Sequence, residues 1–174
     1  MSGHSKWSTI KHQKAVEDSK RSAVFTKLAK KIKIAVQKGS SADINTNASL
    51  RAVVEEARSA NMPMENIKRA IDRATGMGEA KTEEVVYEAY GINGLGIMIT
   101  TITDNRNRTA AEVKNMLEKN DAKLASVGSV SYLKGLSPFP TVELDVPSKA
   151  KMDKLVEVLL GNDDVVDVWT NLEK

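Results

Sequence analysis

The sequence predicts an α+β protein in two parts, an N-terminal three-helix domain followed by a ferredoxin-like βαββαβ domain with an extra hairpin strand. Three observations carry this reading. Apolar residues recur every three or four positions within segments between about residues 19 and 76, and alternation takes over from residue 84. From Gly96 onward the order of patterns is β-α-β-β-α-β. The charge divides along the same line: residues 1–39 carry ten Lys and Arg against Glu17 and Asp18, a net of +8, residues 40–80 net −1, and residues 81–174 net −4. The expected domains are therefore 1–80, a basic N-terminal arm and helical domain, and 81–174, the ferredoxin-like domain.

Each element has its own signal. Residues 19–38 form the first strong helix, with Val24, Phe25, Leu28, Ile32, Ala35 and Val36 on one face and Gly39 as the stop. At about 100° per residue, Lys20, Lys27, Lys31 and Lys38 line the opposite side with Lys30 beside them. No acid lies between Asp18 and Asp43, so no carboxylate within the helix neutralises this stripe. A second helix over 47–60 buries Leu50, Val53, Val54 and Ala57, and a third, with Pro63 in its first turn, buries Ile67, Ala70, Ile71 and Ala74 before Gly76. Met62 and Met64 fill gaps at the turn between them.

In the second half, 84–90 and 96–103 form a hairpin around Ile92-Asn93-Gly94. A helix over 109–120 follows, with Thr109 and Glu112 at capping-box spacing. Short strands are expected at 128–133 and 141–145, around a loop at 134–140. A helix over 148–160 buries Met152, Leu155, Val156 and Leu159, and a strand over 165–169 completes the sheet.

Several chemistries are excluded or poorly supported. With no Cys there is no disulfide, thiolate zinc site, iron-sulfur cluster or cysteine nucleophile. No run approaches the roughly 18 apolar residues that cross a bilayer, and the start is polar, so neither a signal peptide nor a membrane span is expected; for the basic head, nucleic acid is expected over the competing anionic membrane surface, so no membrane partner is assigned. Gly91, Gly94 and Gly96 precede a strand instead of a helix, which reads as a hairpin turn and not a nucleotide loop. His4 and His12 have no further imidazole to complete a metal site. Asp163, Asp164 and Asp167 read as a solvated acidic turn, with a metal-dependent hydrolase as the remote alternative. No catalytic residue, metal or cofactor is expected.

Two segments carry the expected function. The first is the basic stretch with Lys6, Trp7, Lys11, His12 and Lys14, continuing into Lys20, Arg21, Lys27, Lys30 and Lys31. Cations neutralise phosphates, and an aromatic in an extended arm stacks on exposed bases, which suits RNA. Packing of Trp7 on the helical domain explains that residue equally well. The second segment is Thr103-Asp-Asn-Arg106-Asn-Arg108-Thr109, which joins a strand to a helix N-terminus and offers Arg106 and Arg108 as a secondary anion site. A structural turn held by Asp104 and Asn105 is the competing reading.

Many of these residues also carry a resemblance. Met1-Ser-Gly-His-Ser-Lys-Trp7, Ile10-Lys-His12, Phe25-Thr-Lys-Leu28, Ala60-Asn-Met-Pro63, Arg69-Ala-Ile71, Tyr87-Glu-Ala-Tyr-Gly91, residues 103–109 and Gly128-Ser-Val-Ser-Tyr-Leu133 resemble the YebC/PmpR family, which includes the mitochondrial translational activator of cytochrome c oxidase subunit one. The resemblance implies a helical domain, a ferredoxin-like domain and a non-enzymatic nucleic-acid-binding role. It implies a ribosome-associated translation factor that relieves stalling, notably at proline-rich stretches, with the ribosome, rRNA or tRNA as partner. The older family description implies the alternative, a duplex-DNA-binding transcriptional regulator. The expected location is cytoplasmic in a bacterium, or an organelle such as the mitochondrion in a eukaryote. Typical members insert a third domain where this chain has only the seven residues 134–140. Gln13 and Ile92-Asn93 also depart from the family pattern.

Overall fold

The computed structural model describes residues 3–76, 81–138 and 140–173, with side chains described from residue 17 onward. The chain divides into two compact units, Met1–Glu79 and Ala80–Lys174, each with a core of its own.

The first unit holds α1 (Gly3–Gly39), α2 (Ala48–Ser59) and α3 (Met64–Thr75). Leu28, Ile32, Ala35 and Val36 of α1 close against Leu50, Val54 and Ala57 of α2, and against Met62, Ile67 and Ala70. Asn47 ties the corner together. Its carbonyl oxygen accepts from Leu50 N–H at 3.0 Å to cap α2, and its amide donates to Ala35 O at 2.9 Å and Ser41 O at 2.8 Å. A Cβ on Gly39 would lie 2.2 Å from Asn47 Nδ2, so the residue that ends α1 also makes room for this bridge. Asn47→Ala is expected to cost about 2–4 kcal/mol, from a lost cap and from the loss of the amide's bonds to the Ala35 and Ser41 carbonyls. Urea unfolding checks this: the midpoint falls while the slope is retained.

Three expectations need correction here. α1 begins at Gly3, so the segment read as an extended arm is helical; no Pro or Gly between Gly3 and Gly39 interrupts the backbone ladder. Val24, expected on the inner face, is 46% exposed, because the cover from α2 and α3 starts only at the half-buried Phe25. Met62 is buried as expected, but Met64 opens α3 with 53% of its surface exposed.

The second unit contains β1 (Glu83–Tyr90), β2 (Gly96–Thr103), α4 (Arg106–Glu118), β3 (Lys123–Leu124), α5 (Ser131–Lys134), α6 (Val146–Leu160) and β4 (Val165–Thr170). The four strands form one antiparallel sheet in the order β3-β1-β2-β4. Ile97 and Ile99 of β2 and Ala89 of β1 pack under Val113 and Leu117 of α4 and Met152, Leu155 and Leu159 of α6. This is the α+β class read from the sequence. The hairpin strand β1 lies inside the sheet beside β2, the place a βαββαβ unit gives to its third strand.

That placement explains why two expected strands are absent. Residues 128–133 form a turn and the start of α5, because the buried carboxylate of Glu88 on β1 accepts the N–H groups of Gly128 at 2.8 Å, Val130, and Ser131 at 2.9 Å. Those donors serve a side chain, not a sheet ladder, and Gly128 takes φ +90° to aim them. Residues 141–145 contribute only a single parallel bridge, Val142 to Leu172. Pro140 has no N–H to offer, and Asp145 turns away to cap α6 by accepting from Ser148 N–H at 3.1 Å. The outer strand is β3, too short at two residues to show alternation. α4 also starts earlier than the capping-box spacing suggests, with Asn105 as its N-cap and Thr109 buried inside it.

Candidate nucleic-acid interface

α1 is 37 residues long, and its described side chains divide it sharply. Residues 17–24 are all exposed, whereas Leu28, Ile32, Ile34, Ala35 and Val36 are buried. At 1.5 Å per residue, residues 3–24 extend the helix about 33 Å beyond the start of the bundle core. This stretch contains Lys6, Lys11, Lys14, Lys20 and Arg21 against Glu17 and Asp18. Lys6, Trp7, His12 and the other expected contacts up to Lys14 lie in helical backbone, with side chains outside the described residues.

Of the remaining expected contacts, Lys20 and Arg21 are fully on the surface. Arg21 lies 3.9 Å from Asp18, with 63% and 57% of the two side chains exposed, an ion pair that solvent reduces to little. Lys27, Lys30 and Lys31 are half-buried. Lys31 Nζ donates to Glu56 Oε1 of α2 at 2.7 Å. The sequence showed correctly that no acid within α1 faces this lysine, but tertiary packing supplies one. Glu56 directly precedes the buried Ala57, so its position beside α2's inner stripe was the available signal. Reasoning along α1 alone also passed over Lys68, Arg69 and Arg73, three exposed cations of α3 spaced by one, four and five residues.

The proposed secondary anion loop is organised mainly from within. Arg108 Nη2 donates to Asp164 Oδ2 at 2.8 Å and to Asp104 Oδ1 at 2.9 Å. These bonds, that to Asp164 foremost, hold the guanidinium firmly in its charged form. Thr109 Oγ1 lies 2.8 Å from both Asp164 Oδ2 and Thr103 Oγ1. Asp164 is 6% exposed, so its carboxylate serves as the anion of this corner, joining the start of α4 to the segment before β4. Arg106 is exposed, 4.0 Å from Glu83, and remains the more available of the two arginines. Thr109→Val keeps the side-chain shape but removes a hydroxyl bonded to a buried carboxylate. The expected cost is about 1–3 kcal/mol, read as a lower melting temperature.

Among the described residues, no group of three or more His, Asp or Glu is placed to hold a metal ion, and no helix is long and apolar enough to cross a membrane.

The chain's similarity to known proteins follows the same two-part division. The family model described as the TACO1/YebC protein N-terminal domain matches residues 5–77, and that described as the TACO1/YebC second and third domain matches residues 82–133. A probable transcriptional regulatory protein of Brachyspira hyodysenteriae is 50% identical over 133 residues, covering 76% of this chain and 54% of that protein. Another, from Roseiflexus castenholzii, is 42% identical over 184 residues, covering 100% of this chain and 72% of the relative. The chain thus spans about half the length of the first relative and under three quarters of the second. The crystal structure of a conserved hypothetical protein from Aquifex aeolicus superposes with a TM-score of 0.76 at 28% identity, covering 90% of this chain and 91% of that one. With both of its units matched in sequence and its fold matched by a solved structure, the chain belongs to the TACO1/YebC family.

Proposed function

We propose that this protein is a non-enzymatic, nucleic-acid-binding translation factor that docks on the ribosome by binding rRNA or tRNA through α1 and relieves stalling, for example at proline-rich stretches. The observation that carries the reading is the cationic length of α1 beyond the bundle, whose described residues 17–24 are all exposed. A helix stretch whose described residues are all exposed, and whose sequence over residues 3–24 carries a net +3, is suited to a polyanion. Lys6, Lys11, Lys14, Lys20 and Arg21 neutralise phosphates, with Trp7 and His12 contacting bases, and Lys27 and Lys30 extend the track toward the bundle. Arg106 is an auxiliary phosphate contact. The second unit, net −4 in sequence, acts as a docking platform. The reported relatives are bacterial, and the bacterial cytoplasm is where such a factor meets ribosomes.

A second reading, a duplex-DNA-binding transcriptional regulator, is favoured by two observations. The relatives' names say transcriptional regulatory protein, and α1 is helical from Gly3, a shape the DNA major groove admits. Equilibrium binding at one salt concentration separates the two. The translation reading expects folded rRNA or tRNA to bind more tightly than any DNA, with all duplex DNAs alike. A single DNA sequence bound orders of magnitude more tightly than random DNA overturns it.

A further inference from the structure

We infer that α1 engages its RNA as a rigid helix seated in a widened major groove, so that the ligand is an RNA helix opened by a bulge or internal loop and not a regular duplex. The inference rests on the RNA reading above and deepens it.

The geometry starts from the shape of α1. Its backbone is helical without interruption from Gly3 through Gly39, and residues 17–24 are all exposed. An α-helix with its side chains is about 10–12 Å across and cannot thread along a phosphate backbone as an extended arm does. Regular A-form RNA has a deep, narrow major groove that side chains cannot read. A cylinder of this width therefore lies only on the outside of such a duplex, where half of its circumference meets no phosphate. Where a bulge or internal loop pushes the two strands apart, the groove accepts the helix and phosphates flank it on both sides. Over residues 3–24 the sequence carries five Lys and Arg against Glu17 and Asp18, a net of +3, and the Arg21–Asp18 pair at 3.9 Å is solvent-exposed and weak. Lys20 and Arg21 are adjacent in sequence, so they point about 100° apart, and both are exposed. Two cations so divergent reach two different walls more readily than one flat surface.

The experiment compares the full-length protein binding a hairpin RNA with a continuous stem and the same hairpin carrying a three-nucleotide bulge, beside B-form DNA of the same sequence, all near 0.15 M salt. The expected result is at least tenfold tighter binding to the bulged stem than to the continuous one. Ser19→Pro supplies the second arm. It breaks the ladder in the exposed stretch while leaving every charge and the bundle from Phe25 onward in place, and circular dichroism confirms that the core still melts cooperatively. A rigid helix in a groove predicts that this variant loses the preference for the bulge. Equal binding of both stems by the parent protein, or an undiminished bulge preference in Ser19→Pro, overturns the groove inference while leaving the RNA reading intact. DNA bound more tightly than either RNA overturns the RNA reading itself.

Discussion

Replacing Glu88 by Leu is expected to destabilise the second unit by about 3–5 kcal/mol. Glu88 is 5% exposed, and its carboxylate accepts three backbone N–H groups, from Gly128, Val130 and Ser131. Leucine fills a similar volume but leaves those donors without an acceptor, and the turn that carries Val130 over Gly96 loses its anchor. Glu88→Gln, which keeps one acceptor oxygen but loses the charge and turns an NH2 toward a backbone N–H from which Glu88 accepts, is expected to cost less than the Leu replacement while still lowering stability measurably. Urea unfolding followed by tryptophan fluorescence measures both, since Trp169 on β4 lies beneath Lys134 of α5, whose Nζ is 5.7 Å from the ring centroid.

The same carboxylate makes stability depend on pH in a defined direction. Burial pushes the acid's pKa up, but the three backbone N–H groups and the Ser131 hydroxyl together outweigh it and hold the group below its ordinary 4.5. A carboxylate with a depressed folded pKa stabilises fully above its unfolded value, and that contribution disappears as pH falls through the folded value. The stability gap between the parent protein and Glu88→Gln is therefore constant near neutrality and narrows as pH drops below about 4.5. A gap that widened on acidification would show that Glu88 binds its proton more readily in the folded state.

The second large effect concerns binding. Exchanging Lys6, Lys11, Lys14, Lys20 and Arg21 together for Gln removes five positive charges from the stretch of α1 where the described residues contribute nothing to the core. If each contacts a phosphate, the slope of log affinity against log salt becomes shallower by about four, and affinity for RNA at 0.15 M salt falls about a thousandfold. Thermal stability should barely move. These positions are better probes than Lys27, Lys30 and Lys31, because Lys31 is bonded to Glu56 and its reversal would disturb the bundle as well as the ligand. A loss of affinity that does not change the salt slope would assign these residues to folding or to a non-phosphate contact.

The parts of this architecture that depend on local periodicity were legible in the sequence. α2, α3, the β1–β2 hairpin, α6 and β4 each lie within two residues of their expected bounds, since their buried stripes and turns are encoded within a dozen neighbouring positions. What escaped depends on partners distant in the chain. Residues 128–133 alternate small polar Ser129 and Ser131 with Val130 and Tyr132 as a short strand would, and only Glu88, forty residues earlier, makes them a turn. Thr109 fits a capping box by spacing, yet its hydroxyl is directed to Asp164, 55 residues away. At the interface, the excess of cations was plain from composition, while their division into exposed Lys20 and Arg21 and half-buried Lys27, Lys30 and Lys31 depends on where α2 and α3 stop covering α1. The helical course of α1 before residue 19 was missed because a polar helix without an apolar stripe gives no periodic signal.

The most direct test of the central claim is co-sedimentation with ribosomes near 0.15 M salt, comparing the intact chain with the variant lacking the five cations of α1 and using random duplex DNA as competitor. Binding of the intact chain that DNA does not displace, and that is lost in the variant, is the predicted result. Equal sedimentation of both proteins, or ready displacement by DNA, would contradict the assignment of α1 as the ribosome-binding element.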